Sequence, residues 1–551
     1  MADERPRIAR PPAAPITPAD GGELLSADAN RRPAGRAGRR WLIAGAGVIL
    51  AAASLPYAWA VFAAKPGSHF WGAIWYAPDD SLLLSVIREG LSGRWLHFPP
   101  YAMAPAEGAF FYAPYLLLGH LCRWTGLAPV HALHLGRLAC GALLLGTLHH
   151  LAGRFFPEPG ERRFAFFAAA TGGGLGWLVL LAWGLRSPEL SAPEAYPFFA
   201  MLTSLHLTLG IAALLWVLDA LVPRETGSDP SEESAARRRA HWIRFGASAL
   251  VLALVQPFGS VLAGCTGLTW VVTRWWRERR WPRAETGALL ALMLLSLPVV
   301  LHQLTTIAAN PAYVGWRTQV RTPTPPFWQV LAGIGLSLPF ALAGIVQAAR
   351  RRRPSDLLLL FWTGATALLM MLPYYQARRF DLAGYVPLVF LAVRGVGALR
   401  LDWSGSPRFL AASLNALGSL MVLGATVSRI TTTDPELFLP RESWEAIRFL
   451  REHAPERAVV LAEPEVSLAV LASSPLRVVY GHPAETPDAA RTLRAVAAYF
   501  TEGRALDDRL MRRVDYVLLE GRGPGAPRPP IPPEFRRVFA RGAVSVFERA
   551  R

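Results

Sequence analysis

The sequence predicts a mainly α-helical, polytopic membrane protein with a small α/β domain at its C-terminus. Of its 551 residues, 52% are hydrophobic and only 18% are charged, whereas soluble proteins carry charge on about a quarter of their residues. The apolar residues fall in blocks of about 18 to 25, the length that crosses a hydrocarbon core of about 30 Å. After Val427 these blocks give way to amphipathic helices that alternate with short β-branched runs, a pattern typical of α/β domains.

The chain opens with a polar segment, residues 1–40, that is rich in Pro, Ala, Arg and Asp. This composition predicts a disordered tail. The apolar run 41–64 that follows is too long for the core of a signal peptide, so we expect it to remain as the first span. Five arginines precede it and predict a cytoplasmic N-terminus: Arg31, Arg32, Arg36, Arg39 and Arg40.

The central part of the chain predicts a bundle of membrane-spanning helices, residues 41–430. Together with the first span, eight further spans give nine crossings and an outer C-terminus: 128–153, 163–184, 197–222, 285–304, 327–348, 355–372, 381–398 and 409–428. The long loop 65–127 after the first span lies outside. Its apolar piece 109–123 is short and contains Pro114, which predicts a re-entrant or interfacial helix.

One apolar segment, 244–273, is too long for a single span and is broken at Gln256-Pro257. The flanking segments 223–243 and 274–284 are rich in Arg and should both be cytoplasmic. We therefore predict a hairpin of two half-helices that dips in from the cytoplasm. A single straight crossing is the alternative, and it would place the second Arg-rich segment outside.

The C-terminal region, residues 431–551, predicts an extracytoplasmic α/β domain. Four β-branched runs are its candidate strands: Ala458–Leu461, Arg477–Tyr480, Asp515–Leu519 and Val544–Phe547. The region contains neither of the glycine-rich phosphate motifs of nucleotide-binding domains. The net charge of +17 comes almost entirely from Arg at helix ends, so it predicts membrane orientation and excludes nucleic acid as a partner.

An acid pair, Asp79-Asp80, stands in the predicted outer loop shortly after the first span. Adjacent carboxylates beside a membrane are unfavourable unless they handle a proton, a metal or a cationic group. We predict that Asp79 takes a proton from an acceptor hydroxyl and that Asp80 shares the catalytic role, orients its neighbour or binds a metal. The structural alternative is an N-cap for the apolar helix that begins at Leu82. Both can hold, because two acids are present.

Four arginines fall on the predicted outer side, against the usual distribution of positive charge: Arg378, Arg379, Arg317 and Arg321. Guanidinium groups match the oxygen atoms of phosphate and stay charged. They are therefore candidate ligands for the phosphate of a lipid. The alternative is snorkelling, or pairing with local acids such as Asp381.

Accessory groups and metals are less well specified by the sequence. Four residues of the outer side are candidate accessory groups: Glu107, Glu189, Glu194 and Tyr385. Solvation of a loop is the alternative explanation for Glu189 and Glu194. The spacing of His, Asp and Glu does not indicate a dedicated metal cage. We predict no certain cofactor, and a divalent metal stays open.

A longer pattern spans the first 200 residues. A first span is followed by paired acids, Gly93-Arg94-Trp95, the short helix Ala113-Pro114-Tyr115-Leu116 and then Arg137. This order resembles the N-terminal half of GT-C-fold glycosyltransferases, in particular bacterial protein-mannosyltransferase-like and aminoarabinose-transferase-like membrane proteins. The resemblance implies a GT-C-like helical bundle, polyprenyl-phosphate sugars as donors and the first acid, Asp79, as catalytic base. The second acid of the family pair is commonly Glu, and here it is Asp80.

Taken together, these features predict an enzyme at the outer face of the cytoplasmic membrane. It would move a sugar from a polyprenyl-phosphate donor to a glycan, lipid or protein acceptor, among membrane lipids. A lipid or glycan transporter or flippase is one alternative, for which an inverted repeat with polar residues at the midplane would be expected. A non-catalytic envelope assembly protein, whose C-terminal domain binds partners, is the other.

Overall fold

The computed structural model describes residues 36–104, 107–222, 235–311, 313–399, 406–521 and 527–550. The chain divides into two compact units, Met1–Val48 and Ile49–Arg551. Within the first unit, the described part is helical from residue 36. Residues 1–35 of the predicted tail lie outside the described residues, while residues 36–40 belong to a helix and correct the predicted end of that tail.

Up to Thr431, the described part of the chain is mainly helical. In chain order, the elements are α1 (Arg36–Ala63), β1 (Ser68–Phe70), α2 (Ala77–Leu91), α3 (Ala113–Thr125), α4 (Pro129–Phe155), α5 (Pro159–Thr171), α6 (Gly176–Trp183), α7 (Pro197–Thr203), α8 (Leu205–Leu221), α9 (Ala235–Val255), α10 (Pro257–Glu278), α11 (Arg283–Ala309), α12 (Val314–Gln319), α13 (Phe327–Ile334), α14 (Ser337–Arg351), α15 (Pro354–Met370), α16 (Tyr385–Ala398), α17 (Ser406–Asn415) and α18 (Leu417–Thr431). Two 3-10 turns, Pro188–Leu190 and Ala377–Asp381, lie before α7 and α16.

The apolar helices confirm a membrane protein. Among the described residues, four helical segments are long and apolar enough to cross a bilayer: Arg40–Ala63, α4, α11 and α5–α6 counted together. The bent pair α13–α14, which meets at 91°, gives a fifth if it is one span. These segments match five of the nine predicted spans.

The other four predicted spans, 197–222, 355–372, 381–398 and 409–428, fall on shorter apolar helices, α8, α15, α16 and α18. A straight crossing needs about 20 residues, so helix length does not confirm the count of nine. Breaks at Ser204 and Ala416 divide two of these segments, and a hydropathy pattern does not show such breaks.

The segment 244–273 breaks at Gln256, where predicted, between helices α9 and α10, which contain 21 and 22 residues. Helix α9 begins at Ala235, inside the Arg-rich segment, so only its residues 244–255 belong to the apolar run. Neither α9 nor α10 is among the helices that are long and apolar enough to cross a bilayer. The hairpin and the side on which the Arg-rich segments lie stay predictions.

The predicted outer loop folds around two packed helices, α2 and α3. The short piece 109–123 forms α3, which is 13 residues long. The two helices touch backbone to backbone, because a Cβ atom on Gly90 would lie 2.2 Å from the Leu116 carbonyl oxygen and one on Gly119 would lie 2.1 Å from the Ile87 carbonyl oxygen. Glycine at both positions is required for this approach.

The C-terminal domain is a mixed sheet with helices, which confirms the predicted α/β class. Its elements are β2 (Phe438–Pro440), α19 (Arg441–His453), β3 (Val459–Leu461), α20 (Pro464–Ser473), β4 (Arg477–Val478), α21 (Ala489–Glu502), α22 (Asp508–Met511), β5 (Tyr516–Glu520), β6 (Phe535–Arg541) and β7 (Val544–Arg549). The five-stranded order is β4-β3-β5-β7-β6, with β4, β3 and β5 parallel. All four predicted strands are present, and β2 and β6 were missed. The division at residue 430 stays a prediction.

The domain is joined to the outer loop at several points. Strand β1 pairs antiparallel with β2. Residues 100–102 lie along the free edge of β4, where the Ala102 N–H donates to the Val478 carbonyl and the Val478 N–H donates to the Pro100 carbonyl. The Arg88 guanidinium of α2 donates to the Ala472 carbonyl of α20 at 2.7 Å. The loop and the domain therefore form one packed assembly.

The loop between α11 and α13 joins the same assembly. The Gln319 amide donates to the carbonyls of Ala484 and Thr486 and accepts from the Ala489 N–H, with distances of 2.9 to 3.1 Å. On its other side, Thr322 hydrogen-bonds through its backbone to Tyr375 and Arg378. The polar segments that the sequence placed on one face thus pack together.

Candidate active site

The acid pair lies in the first turn of α2, which begins at Ala77 with Pro78 next. The N-cap position is Tyr76, which makes no side-chain capping bond to a described residue. The predicted capping role is therefore wrong as stated, since the helix starts before the two aspartates. They instead stand where the aligned peptide dipoles of α2 stabilise negative charge.

The loop that precedes the acid pair is fastened by Arg429, near the end of α18. Its guanidinium donates to the carbonyls of Ile74 and Trp75 at 2.9 and 2.6 Å. It also pairs with Asp434 at 2.6 Å and Glu436 at 2.7 Å. This fork of charge-assisted bonds fixes the start of α2 relative to the end of the helical bundle.

Asp80 points inward. It is 8% exposed, and its Oδ2 accepts a 3.3 Å hydrogen bond from the Ile74 N–H. Burial raises the pKa of Asp80 to about 7, and the neighbouring Asp79 charge raises it further, against the Ile74 N–H and the charges of Arg137 and Arg429. Asp80 thus accepts a hydrogen bond from the loop that precedes α2, while its predicted part in orienting Asp79 stays a prediction.

Asp79 points the other way. Its side chain is 53% exposed, so a substrate could reach it. Its Oδ1 lies 2.7 Å from Nε2 of His482, a residue of the C-terminal domain 403 positions away in sequence. The ring of His482 is buried, with 8% of its side chain exposed. Of the two acids, Asp79 is therefore the accessible one, and its role as base stays a prediction.

A second acid lies in the same loop of the C-terminal domain. Glu485 is 8% exposed, and it accepts a 2.6 Å hydrogen bond from the Tyr112 hydroxyl. Burial raises the pKa of the Glu485 carboxyl, and the Asp79 charge raises it further, against His482, His97 and the Tyr112 bond. Tyr112 belongs to the outer loop, so this contact also ties the two parts of the site together.

Asp79 and Arg379 both lie near one residue of the bundle, His206. The His206 ring, at the start of α8, lies within electrostatic range of both the Asp79 carboxylate and the Arg379 guanidinium. Its Nδ1 is 2.8 Å from the Tyr115 hydroxyl of α3. Carboxylate and guanidinium therefore lie on the same side of the protein. Their chemical roles stay predictions.

The two adjacent arginines of the predicted phosphate site differ in their surroundings. Arg378 pairs with Glu194 at 2.9 Å, which is the pairing alternative, although with Glu194 in place of Asp381. The Arg379 guanidinium lies over the Phe258 ring, 5.9 Å from its centroid. Its buried Nε has no hydrogen-bond partner among the described residues. Arg379 is consequently the better placed anion ligand of the two.

The structure gives less support to the other two predicted phosphate ligands, Arg321 and Arg317. Arg321 is exposed, and its Nε donates at 3.4 Å to the Thr318 carbonyl. Arg317 belongs to α12, but its side chain lies outside the described residues. Arg321 is brought beside the 377–381 turn by the backbone bonds of its neighbour Thr322.

The four candidate accessory residues occupy different places. Glu107 is exposed at the edge of the outer loop, while Glu194 pairs with Arg378. Glu189 is 2% exposed and holds the Gly176 N–H at the start of α6 and the Ser187 hydroxyl, so loop solvation does not explain it. The Tyr385 hydroxyl lies 2.9 Å from the Gly173 carbonyl and 2.6 Å from Oδ1 of Asn415. Glu189 and Tyr385 thus have structural roles.

Metal binding was left open by the sequence. Within the described part of the chain, no group of three or more His, Cys, Asp or Glu side chains is arranged to hold a metal ion.

The sequence did not predict His482 or Arg429. His482 follows β4, a strand in the parallel part of the sheet. Loops at the carboxyl ends of parallel strands commonly hold functional side chains, and this is the one signal that could have indicated it. Arg429 lies one residue beyond the last predicted span, 409–428, and no role was predicted for it.

The whole chain was compared with known proteins. No family model matches it, and no curated protein sequence matches it. Among solved structures, it is similar to ArnT from Cupriavidus metallidurans in the apo state, with 14% identity and a TM-score of 0.53 over 93% of this chain and 98% of that one. It is also similar to the Archaeoglobus fulgidus oligosaccharyltransferase tethered with an acceptor peptide, with 13% identity and a TM-score of 0.52 over 86% and 69%.

The chain has the GT-C fold. Both neighbours are glycosyltransferases of this fold, and the alignment to ArnT spans nearly the full length of both chains. The resemblance of residues 41–200 is thereby confirmed at the level of the fold. At this identity the GT-C fold does not fix the activity, which has to be argued from the site.

Proposed function

We propose that this protein is a membrane glycosyltransferase that moves a sugar from a polyprenyl-phosphate donor to an acceptor hydroxyl at the outer face of the cytoplasmic membrane. The observation that carries the proposal is the placement of an accessible carboxylate, Asp79, on the same side as a guanidinium, Arg379, within a GT-C fold. The ArnT and oligosaccharyltransferase neighbours support the reaction class.

The proposed reaction is a single displacement. The acceptor oxygen attacks the anomeric carbon of the sugar, and its proton passes to the Asp79 carboxylate. The bond between that carbon and the phosphate oxygen breaks as the new bond forms, so the configuration inverts. Polyprenyl phosphate leaves with the electron pair. The reaction balances without an oxidant, a reductant or a nucleotide.

The leaving phosphate gains negative charge as the bond breaks. A fixed guanidinium aimed at that charge lowers the barrier, because it is already oriented when the charge develops. Arg379 fits this role, since its buried Nε has no hydrogen-bond partner within the described part of the chain and its guanidinium lies over the Phe258 ring. Arg378 is less suited to it, since its own charge is paired with Glu194.

The test is turnover by the purified protein in proteoliposomes. A panel of polyprenyl-phosphate donors that carry mannose, glucose or aminoarabinose is mixed with envelope lipid and glycan extract, and released polyprenyl phosphate is measured. Asp79→Asn should reduce release by at least about 1,000-fold, the upper part of the range for a general base. The matched control is Asp508→Asn, an exposed aspartate in the first turn of α22, which should behave as wild type.

Two results would overturn the proposal. If Asp79→Asn turns over at the wild-type rate while folded, Asp79 is not the base. If the wild type moves the intact donor between leaflets and releases no polyprenyl phosphate, the protein is a flippase. Comparison of envelope glycans with and without the protein would then identify the sugar and the acceptor.

A further inference from the structure

The contact between Asp79 and His482 has a defined hydrogen-bond direction. The Ala484 N–H donates to Nδ1 of His482 at 3.0 Å, so Nδ1 acts as an acceptor and the ring proton lies on Nε2. Nε2 therefore donates to Oδ1 of Asp79 at 2.7 Å. A second proton on the ring would occupy Nδ1 and would leave the Nε2 donor in place. In either charge state of the ring, Asp79 keeps its donor.

This bond fixes one oxygen of the carboxylate and leaves the other free. A half-exposed aspartate can rotate about its side-chain bonds, and a base that rotates is misaligned for part of the time. With Oδ1 held, Oδ2 is the oxygen that can accept a proton from an acceptor hydroxyl. The neighbouring Asp80 does not hold Asp79 in this way, because its Oδ2 is bound to the Ile74 N–H.

The loop that carries His482 is itself held from several sides. The Thr486 hydroxyl accepts from the Gly481 N–H at 3.3 Å. The Tyr112 hydroxyl of the outer loop donates to Glu485. The Gln319 amide donates to the carbonyls of Ala484 and Thr486. Two other parts of the chain, the outer loop and α12, thus converge on the 481–486 loop. Such support is expected of a group that must hold a catalytic residue in place.

We propose that His482 is a positioning residue for Asp79, so that the C-terminal domain completes the active site of the helical bundle. This inference rests on the proposed function, in which Asp79 is the base. It assigns the domain a direct part in the reaction, beyond partner binding or assembly. Substrate would then meet a site built from both parts of the chain, with the donor on the bundle side and the 481–486 loop on the other.

Two substitutions separate this role from a structural one. In His482→Gln, the amide nitrogen reaches the position of Nε2 and can still donate to Asp79. In His482→Asn, the shorter side chain reaches only the position of Nδ1, so it can accept from Ala484 but cannot reach Asp79. We expect His482→Asn to lower kcat by about 100-fold, the size of effect typical of a misplaced catalytic group, with KM for the donor and the melting temperature unchanged. His482→Gln should recover most of that loss.

The control is His453→Asn, which changes an exposed histidine at the end of α19 and should leave kcat unchanged. Equal kcat values for His482→Asn and wild type would overturn the inference. So would equal losses in His482→Asn and His482→Gln with lowered melting temperatures, because the role of His482 would then be structural. A shift confined to KM would equally contradict it.

A measurement that does not need activity keeps the contact testable by itself. In a cysteine-free variant, Asp79→Cys and His482→Cys are treated with a short bifunctional thiol reagent, and the protein is cleaved between the two positions. Cross-linked halves are expected, and unlinked halves would overturn the inference whatever the enzyme does. If wild type fails to release polyprenyl phosphate while the cross-link forms, the proposed function is wrong and the Asp79–His482 contact stands.

Discussion

The buried acid Asp80 gives a prediction with a defined sign. Its ordinary pKa of 3.8 is raised to about 7, first by burial and then by the Asp79 charge. Between these values the folded protein holds a proton that the unfolded chain has lost. Stability from this group is therefore greatest at low pH and falls as the pH rises from about 4 to about 7. Asp80→Asn mimics the neutral form and should remove that fall.

The size of the effect follows from the two pKa values. By proton linkage, the charged form of Asp80 lowers the free energy of unfolding by about 2 kcal/mol at pH 5 and about 4 kcal/mol at pH 8. Wild type should thus lose about 2 kcal/mol more than Asp80→Asn between these pH values. The assay is unfolding in detergent followed by tryptophan fluorescence from pH 5 to pH 8, with Asp508→Asn as control. Parallel pH curves for wild type and Asp80→Asn would refute the burial argument.

Three other perturbations test the packing and the charges. Gly119→Ala should lower the melting temperature, because its Cβ would lie 2.1 Å from a backbone oxygen of α2. The control Gly146→Ala should leave the melting temperature unchanged, because no described atom lies within 4 Å of the new Cβ. Equal shifts in the two variants would contradict the close contact. Arg378→Met should lower the free energy of unfolding by about 3 kcal/mol, because it leaves Glu194 without its ion-pair partner. Adding Glu194→Gln to that variant should restore much of the loss. If the effects of the two substitutions simply add in unfolding experiments, the ion pair does not stabilise the protein. Arg379→Gln should lower kcat by at least about 10-fold while the protein stays folded, and an unchanged rate in the polyprenyl phosphate release assay would exclude it as the anion ligand.

Features set by local sequence could be predicted. The apolar blocks, the break at Gln256 and the four strands of the C-terminal domain follow from residue patterns within a few positions. Asp79 and Asp80 could be singled out from the sequence, because charged residues beside a membrane are unfavourable and are therefore rare. Each of these features is determined by residues that are close together in the sequence.

Pairings between distant residues could not be predicted. Nothing near Asp79 in sequence indicates that His482 will meet it, and Arg378 had equally good local reasons to pair with Asp381 or with a phosphate. In the structure, Arg378 pairs with Glu194, which belongs to a different loop. The breaks at Ser204 and Ala416 were missed for a related reason, since tertiary packing decides whether an apolar run stays one helix.

The central claim is that Asp79 and Arg379 flank one donor site beside the C-terminal domain. A structure of the protein with bound polyprenyl phosphate tests it most directly. We expect the phosphate to lie within hydrogen-bond distance of the Arg379 guanidinium, with Asp79 facing its sugar-bearing oxygen. A phosphate bound at the opposite, Arg-rich end of the helices, away from both residues, would contradict it.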